Sequence, residues 1–387
     1  MIGLAASLML AAAGPPEVPP GQRAAWEAAA HDLCSAKVAL LGEDAGHGDG
    51  ETLAFKAALV RRLVDRCGFD AVFFEASHYD LLAFGQRVRD GTATPDLLAS
   101  AIGGLWNGSR EFAPLLAFLY EEARAGRVAV GGLDPNLGSR GAFYSLDAMP
   151  ADLASILPAP RRARCGATLR RRIRYDYPDG YGPRKRAEVL ACLAAIERAP
   201  APARDVGRVE RAERRWMLAN FRRLVAADLG SEADRFAARD FLMFRNLRWL
   251  AARLPRDAKL IVWTATVHAA KRGDAAAPFA VNLGAHLRRA YGRGAFALGF
   301  SAASGRHGRP NRAQPRPIAA PPTGSLEARA LAATQADAVY LDRAALAALG
   351  PIAAAPLRHG DYAVRRWDAL LDGLVVFRAE RPPLPAR

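Results

Sequence analysis

The chain has 387 residues, of which 51% are hydrophobic and 24% are charged, and this composition excludes a disordered or a fibrous protein. Its formal net charge of +15 excludes an acidic chain, and arginine supplies nearly all of the positive groups because only five lysines occur. A charge of this size fits an anionic partner or a solvated basic surface, and the strong arginine and alanine bias favours the second interpretation.

The chain begins with an apolar run, residues 2–13, that is too short to span a bilayer. Its length fits the core of a signal peptide, and "AAAG" offers a cleavage site, although no Lys or Arg precedes the run. We therefore predict a signal peptide at 1–13, an N-terminal lead-in at 14–36, and a single domain at 37–387 with no transmembrane segment. Export places the protein in the periplasm or outside the cell, and without export the protein is cytoplasmic.

Short apolar runs alternate with amphipathic helical patterns along the rest of the chain, and the helical pattern dominates from about 150 to 257. This alternation predicts an α/β fold with a mostly parallel sheet flanked by helices and a largely helical insertion. The predicted strands, in chain order, are "KVALLGE", "FDAVFFEA", "RVAVGGLD", "AKLIVWTATVHAA", "AFALGFSA", "DAVYLD" and "LDGLVVFRA".

Acidic residues and histidines follow the ends of several predicted strands. They are Glu43, Glu75 and Asp134 at the ends of the first three strands, His47 on the glycine-rich loop after the first, and His268 near the end of the fourth. Ligands of parallel α/β sheets bind beyond the carboxyl ends of the strands. We therefore expect these five side chains to gather at one edge of the sheet.

The four cysteines are spaced so that they can pair. Cys34 and Cys67 precede the acids that end the first two strands by nine and eight residues, which places both near the opposite edge of the sheet. Cys165 and Cys192 fall in two helical patterns that can pack together. Two disulfides would fit an oxidising compartment, and four buried free thiols explain the same cysteines equally well.

Several motifs occur in the order typical of one known family. "LGEDAGHGDGETLAFKAALVRRLVDRCGFDAVFFEA" resembles the opening of the erythromycin esterase-like family, with its Gly-Glu-x-Thr-His-Gly turn and its Gly-Phe strand ending in Glu-Ala. "ARDFLMFRNLRWL" is similar to the Arg-Asp-x-x-Met-x-x-Asn helix of that family, and "KLIVWTATVHAAK" to its Trp-Ala-His-Asn-x-His strand. The matches run from about 37 to 378. The resemblance implies a hydrolase whose substrate is a small-molecule ester or lactone, macrolides included.

Two departures from the family pattern bear on activity. Three residues separate Glu43 from His47, where the family has two. Ala265 stands in place of the first histidine of the family's strand motif and Thr266 in place of its asparagine, so that only His268 remains. The resemblance therefore implies a hydrolase whose activity is weakened or altered.

The resemblance also implies catalytic roles. His47 is expected to act as the general base, because an imidazole titrates near neutral pH and can take a proton from water. Glu43 would orient His47 or the water, and Glu75 would orient water or substrate. His268 would share the proton transfer or stabilise the oxyanion.

Five further residues are expected to bind substrate or to support the site: Lys56, Arg239, Trp106, Glu111 and Asp134. Core packing explains Trp106 as well as a pocket wall does, and Glu111 and Asp134 also fit loop braces. The sequence requires no cofactor. Its His and Glu residues leave a divalent metal ion open, but no paired His or Cys spacing fixes one. The sequence gives no indication of the oligomeric state.

The alternative is a non-catalytic protein. Distantly similar folds include haem-binding lipoproteins of bacterial envelopes, and a chain of this kind would bind haem or a metal without turning over a substrate. His78, close to Glu75, would then be a ligand. Tyr175, Tyr177 and Tyr181 interleave with arginines, which fits base stacking, but a basic surface helix and turn explains the stretch more simply. We therefore predict no nucleic-acid partner.

Overall fold

The computed structural model describes residues 18–136, 143–200, 207–272, 281–309 and 314–386. The predicted signal peptide at 1–13 lies outside the described residues. None of the helices in these ranges combines the length and the apolar character that a bilayer crossing requires.

The described ranges contain eleven strands. They are β1 Val38–Leu41, β2 Phe69–Ser77, β3 Ala129–Asp134, β4 Lys259–Trp263, β5 Ala295–Ala302, β6 Arg306–His307, β7 Arg316–Pro317, β8 Ala338–Asp342, β9 Pro351–Ala354, β10 Ala363–Arg366 and β11 Gly373–Phe377. Among these residues the main sheet has seven strands in the order β3-β2-β4-β1-β5-β11-β8, and only β8 runs antiparallel to its neighbour. The predicted mostly parallel sheet is therefore confirmed.

Helices cover the sheet, and fifteen α-helices lie within the described ranges. They are α1 Pro20–Cys34, α2 Gly50–Cys67, α3 His78–Arg89, α4 Pro95–Ile102, α5 Ala113–Arg124, α6 Met149–Ala154, α7 Ala159–Arg174, α8 Pro183–Arg198, α9 Arg208–Ala227, α10 Glu232–Ala251, α11 Thr266–Ala269, α12 Leu283–Tyr291, α13 Leu326–Ala332, α14 Arg343–Ala348 and α15 Trp367–Leu370.

Strand β1 lies in the middle of the sheet, and its composition explains that position. Its four residues, "VALL", are all buried, as a strand covered on both faces by helices requires. Leu41 pairs with Trp263 of β4 on one side and with Leu298 of β5 on the other. The loop after β1 therefore starts at the centre of the carboxyl edge of the sheet, where ligands of such folds bind.

The N-terminal boundary differs from the prediction. The segment predicted as a lead-in, 14–36, contains helix α1. This helix packs into the core, where Ala29 and Leu33 are fully buried. The hydroxyl of Tyr340 on β8 also donates to Asp32 of this helix, over 2.7 Å. The alanine-rich sequence of α1 carries little amphipathic pattern, so only its tertiary contacts reveal that it belongs to the domain.

The fourth strand is shorter than predicted. It ends at Trp263, and His268 lies on the separate short helix α11 rather than near a strand end. The chain turns there because the backbone N–H of Thr266 donates to the carbonyl of Glu43 and that of His268 to Ala265. A β-carbon on Gly42 would come within 2.5 Å of the Thr266 hydroxyl, so glycine is what lets α11 lie against the end of β1.

The helical region at about 150–257 is confirmed. Helices α6 to α9 share a hydrophobic cluster with residues of α3 and α10, and this cluster includes Leu169, Leu193 and Phe221. Helix α10 packs on β3 and links this region to the sheet. Its buried residues Met243 and Leu247 belong to a sheet-side cluster, and this contact positions the polar residues of α10 at the edge of the sheet.

Both predicted cysteine pairs are disulfides. Cys34 is joined to Cys67 with Cα atoms 5.1 Å apart, and Cys165 to Cys192 with Cα atoms 5.4 Å apart. The first ties the ends of α1 and α2 together, and the second ties α7 to α8. Two disulfides fit an oxidising compartment, and the periplasmic or extracellular location stays a prediction.

Candidate functional site

The loop after β1 places His47 against Glu43. The Nδ1 atom of His47 lies 2.6 Å from Oε1 of Glu43. The residue that the family pattern lacks is absorbed in a tight turn, where Gly46 N donates to the Asp44 carboxylate and His47 N to the Asp44 carbonyl. His47 itself has a φ of 54°, a left-handed conformation uncommon outside glycine. Strain of this kind is found at functional sites, where surrounding contacts maintain it.

Two buried side chains fix the Glu43 carboxylate. Lys56 Nζ lies 2.6 Å from Oε2, and the indole N–H of Trp106 donates to Oε1 over 2.8 Å. Burial favours a neutral Glu43, but the charges of Lys56 and His47 outweigh it and lower the pKa of Glu43. Burial also lowers the pKa of Lys56 to about 8, and the negative charge of Glu43 only partly offsets this effect. The Glu43 carboxylate thus stays charged next to the imidazole of His47.

Lys56 and Trp106 therefore do not lie where substrate binding would need them. Their exposed fractions are 0% and 1%, and neither lines the cavity beside His47. Both side chains are buried and contact the Glu43 carboxylate, so they are positioning residues for it. The sequence could not distinguish a positioning role from a place in the pocket wall, because both roles put an indole or an ammonium group near an acid.

Glu75 is fixed from the sheet side. Its Oε2 accepts the hydroxyl of Thr264 over 2.7 Å and the backbone N–H of Ala265 over 2.9 Å, and its Oε1 accepts from Arg239 over 2.8 Å. Burial raises the pKa of this carboxyl group, but His268 and Arg239 outweigh burial and hold the pKa well below its usual range.

Arg239 reaches the same place from α10. Its guanidinium donates through Nε and one terminal nitrogen to the two oxygens of Asp134, over 3.0 and 2.9 Å. Such two-point pairing fixes the plane of the guanidinium as well as its position. Arg239 thus links the end of β2 at Glu75 with the end of β3 at Asp134.

His268 is held between two carboxylates. Its Nδ1 lies 2.9 Å from an oxygen of Asp240 and its Nε2 lies 3.3 Å from Oε1 of Glu75, while Phe236 stacks on the ring at 4.9 Å. Burial alone would lower the pKa of His268, but Asp240 and Glu75 outweigh burial and raise the pKa to about 10. Arg239 Nη1 also lies 3.1 Å from Nε2 of His268. A pKa of about 10 favours the imidazolium at neutral pH, which suits the stabilisation of negative charge better than the removal of a proton.

Sequence reasoning missed Asp240. Its carboxylate accepts from His268 and from the backbone N–H of Leu283, so it joins α10, α11 and α12. The available signal was its position directly after Arg239 in the Arg-Asp motif. Adjacent positions on a helix face different directions. Both Arg239 and Asp240 reach the site because α11, which carries His268, packs beside α10.

These groups surround one cavity of about 370 Å³, within the range of small-molecule sites. His47 stands on one wall, and Glu75, Asp134, Arg239 and His268 stand on the others. The polar side chains on the cavity thus come from the ends of β1, β2 and β3, from α10 and from α11. Asn136, Ala265 and Arg309 also line the cavity.

Glu111 and His78 lie elsewhere. The Glu111 carboxylate accepts from Arg381 and from the backbone N–H of Leu384, so it anchors the C-terminal segment. His78 is fully buried, and its Nδ1 lies 2.8 Å from the Gly132 carbonyl. Burial lowers the pKa of His78 to about 4. It does not line the cavity beside His47.

In the mixed set Glu43, His47, Glu75 and His268, the two carboxylates pair with Lys56 and Arg239, and a divalent metal ion at these four residues stays an open prediction. In the described ranges, one group brings three metal-ligating residues together: Asp44, His307 and His359, whose ligand atoms lie within 4.8 Å of one another. Sequence reasoning missed it because its members come from three distant loops.

The chain was compared with known proteins. The family model described as erythromycin esterase matches residues 64–377, a range that includes Glu75, Asp134, Arg239 and His268 but begins after His47. No curated protein matches the chain.

Three solved structures resemble the chain over nearly all of its length. A mutant of the erythromycin esterase EreC in its open conformation has a TM-score of 0.66 and 15% identity, over 95% of this chain and 96% of that one. A succinoglycan biosynthesis protein has a TM-score of 0.69 and 14% identity, over 91% and 90%. A protein from Bacillus cereus has a TM-score of 0.65 and 16% identity, over 92% of both chains. At these identities the structural likeness establishes the fold.

Proposed function

The chain belongs to the erythromycin esterase family, and from that premise we propose that it hydrolyses an ester or lactone bond in a small molecule. The observation that carries the proposal is the pair formed by His47 and Glu43 at the wall of the cavity. A carboxylate on Nδ1 fixes the imidazole in the tautomer whose Nε2 carries the lone pair, as a general base requires.

Hydrolysis begins with a water molecule in the cavity. Nε2 of His47 takes a proton from this water as the water oxygen attacks the carbonyl carbon of the substrate. Glu43, held as a carboxylate by Lys56, stabilises the imidazolium that forms. His47 then returns the proton to the alkoxide that leaves when the tetrahedral intermediate collapses, so that one acid and one alcohol result.

The opposite wall supports the negative charge of the intermediate. His268 and Arg239 are both cationic, and both are held by carboxylates before any substrate arrives. Donors and charges fixed in advance stabilise an oxyanion without reorganisation during the reaction. We assign this function to His268 rather than proton removal, because its pKa of about 10 keeps the ring protonated at neutral pH.

Two adjoining cavities leave room for substrates of two sizes. A second cavity of about 540 Å³ shares Ala45 and Val267 with the first, and Tyr362, Trp367 and Leu370 are among its lining residues. A small ester fits the first cavity alone. A macrocyclic lactone would place its reacting carbonyl beside His47 and extend its apolar body into the second.

The experiment is a substrate panel. Purified protein is incubated with simple esters, small lactones and macrocyclic lactones, with and without chelator, and products are identified by the mass of one added water. We expect hydrolysis of at least one compound, and the samples with chelator report whether a bound metal ion contributes to it. A mock purification from cells without the gene reports contaminating esterases. Activity equal to the mock across the panel would refute the proposal and return the non-catalytic binding protein as the better hypothesis.

A further inference from the structure

A second polar cluster adjoins the loop that carries His47. It consists of Asp44 on that loop, His307 in β6 and His359 between β9 and β10, and none of the three lines the cavity beside His47. One ligand atom from each residue lies within 4.8 Å of the other two. The mechanism above uses none of these residues.

Hydrogen bonds organise this cluster. Asp44 accepts the backbone N–H of His359 through one oxygen over 2.7 Å and that of Gly46 through the other over 2.6 Å. Nε2 of His359 lies 3.1 Å from the carboxylate of Asp49, so the other ring nitrogen, Nδ1, is the one that a metal ion could take in place of a proton. The rings of His307 and His359 meet edge to face, with centroids 5.0 Å apart.

Backbone packing brings His307 to this place. The N–H of Gly308 donates to the carbonyl of Gly48 over 2.9 Å. A β-carbon on Gly48 would come within 2.6 Å of the Gly308 backbone, so only glycine allows the two segments to approach this closely. The β6 segment therefore packs closely against the loop that carries Asp44.

The chemistry of the donor set matches a divalent transition metal. Two imidazoles and one carboxylate, with a fourth position for water, are a ligand set that Zn²⁺ takes in proteins. A carboxylate on the distal nitrogen of a ligating histidine, as Asp49 is on His359, is the usual outer partner in such sites. Ligand atoms on a tetrahedral ion lie about 3.4 Å apart for bonds of about 2.1 Å, so the cluster would have to contract by up to about 1.4 Å to hold one.

The local charge also favours a cation. Asp44, Asp49 and Glu380 are buried, with 3%, 5% and 4% of their surface exposed. Buried carboxylates are ordinarily paired with cations or metal ions. We propose that Asp44, His307 and His359 bind one Zn²⁺ or similar first-row divalent ion, which fixes the loop presenting His47.

The test uses full-length protein without a polyhistidine tag, stripped with chelator and dialysed. Zn²⁺ is titrated by calorimetry, and Co²⁺ is added separately to record the visible absorption of a tetrahedral site. We expect about one equivalent of Zn²⁺ per chain, with the affinity falling at least about tenfold in His307→Ala and in Asp44→Asn, since loss of an outer partner alone costs that much. The control is His31→Ala, an exposed histidine on α1, which should bind Zn²⁺ as the wild type does.

Two results would overturn the proposal. One is the absence of Zn²⁺ and Co²⁺ binding to the wild type, and the other is binding that survives in both ligand variants, which would place the ion elsewhere. Circular dichroism of the metal-free proteins checks folding, and His307→Gln replaces His307→Ala if that variant does not fold. Because the readout is binding, it does not depend on whether the protein hydrolyses an ester.

Discussion

Ala265 is the residue at which this chain departs most from its family. Ala265 lines the cavity, and its backbone N–H donates to the Glu75 carboxylate, so the position lies beside the proposed reaction centre. A histidine here would place a further imidazole, besides those of His47 and His268, at the cavity wall. The weakened or altered activity proposed for the chain can therefore be tested at this one position.

We expect Ala265→His to raise kcat/KM for ester hydrolysis about tenfold or more, because a well-placed acid or base contributes a factor of about a hundred to ten thousand. The matched control is Val267→His, which places the same side chain elsewhere on the cavity wall. Equal changes in both variants would mean that bulk, rather than a restored catalytic group, is responsible.

The buried pair of Lys56 and Glu43 makes a second prediction at this scale. Lys56→Met keeps the length of the side chain but removes the cation, which leaves the Glu43 carboxylate buried without its partner. Removing one member of a buried pair costs about 3–5 kcal/mol. We expect a loss of this order in the free energy of unfolding measured with urea. Lys185→Met should cost below about 1 kcal/mol, because the Lys185 ammonium contacts the Gly180 carbonyl and the Tyr177 ring near the surface. Similar losses in both would count against the pairing.

At the scale of elements, α11 replaces the end of a strand that the apolar pattern predicted. The short helix brings His268 between Asp240 of α10 and Glu75 of β2, and this contact joins three elements at the cavity. Because the ring is charged in the folded state, the contact stabilises the protein only while His268 stays protonated.

The sign of the pH dependence follows. The folded pKa of His268 is about 10, above the value of about 6.5 for an unfolded chain, so the stabilisation is complete below about pH 6.5 and is lost as the pH rises towards 10. We expect the difference in unfolding free energy between wild type and His268→Gln to shrink by a few kcal/mol across this window, in urea titrations at several pH values. Lys56 titrates in both proteins and largely cancels. A constant difference would contradict a charged His268.

Sequence patterns predicted the elements whose apolar content is local. The strands "VALL" and "LIVW" are continuous apolar runs, and the ends of parallel strands meet at one edge, so Glu43, Glu75 and Asp134 could be placed together without coordinates. Helix α1 and the hairpin of β9 and β10 were not predicted, because contacts with distant segments stabilise them rather than their own periodicity. Asp240 and the cluster around His359 were missed for the same reason.

At the scale of the whole molecule, the cavity belongs to neither the sheet nor the helical region alone. The sheet supplies Glu75 and Asp134, the loop after β1 supplies His47, and α10 lays Arg239 across the edge from the helical side. The disulfides lie away from this edge: one joins α1 to α2 and the other lies within the helical region. The site thus depends on the packing of α10 against β3.

The most direct test of His47 as general base is the ratio of kcat/KM between wild type and His47→Ala, on the ester or lactone that the wild type hydrolyses fastest. His31→Ala, an exposed histidine remote in sequence from the loop, is the matched control and should match the wild type. We predict a loss of about a hundred- to ten-thousand-fold in His47→Ala, with the circular dichroism spectrum unchanged. A folded His47→Ala protein with the kcat/KM of the wild type would contradict the assignment.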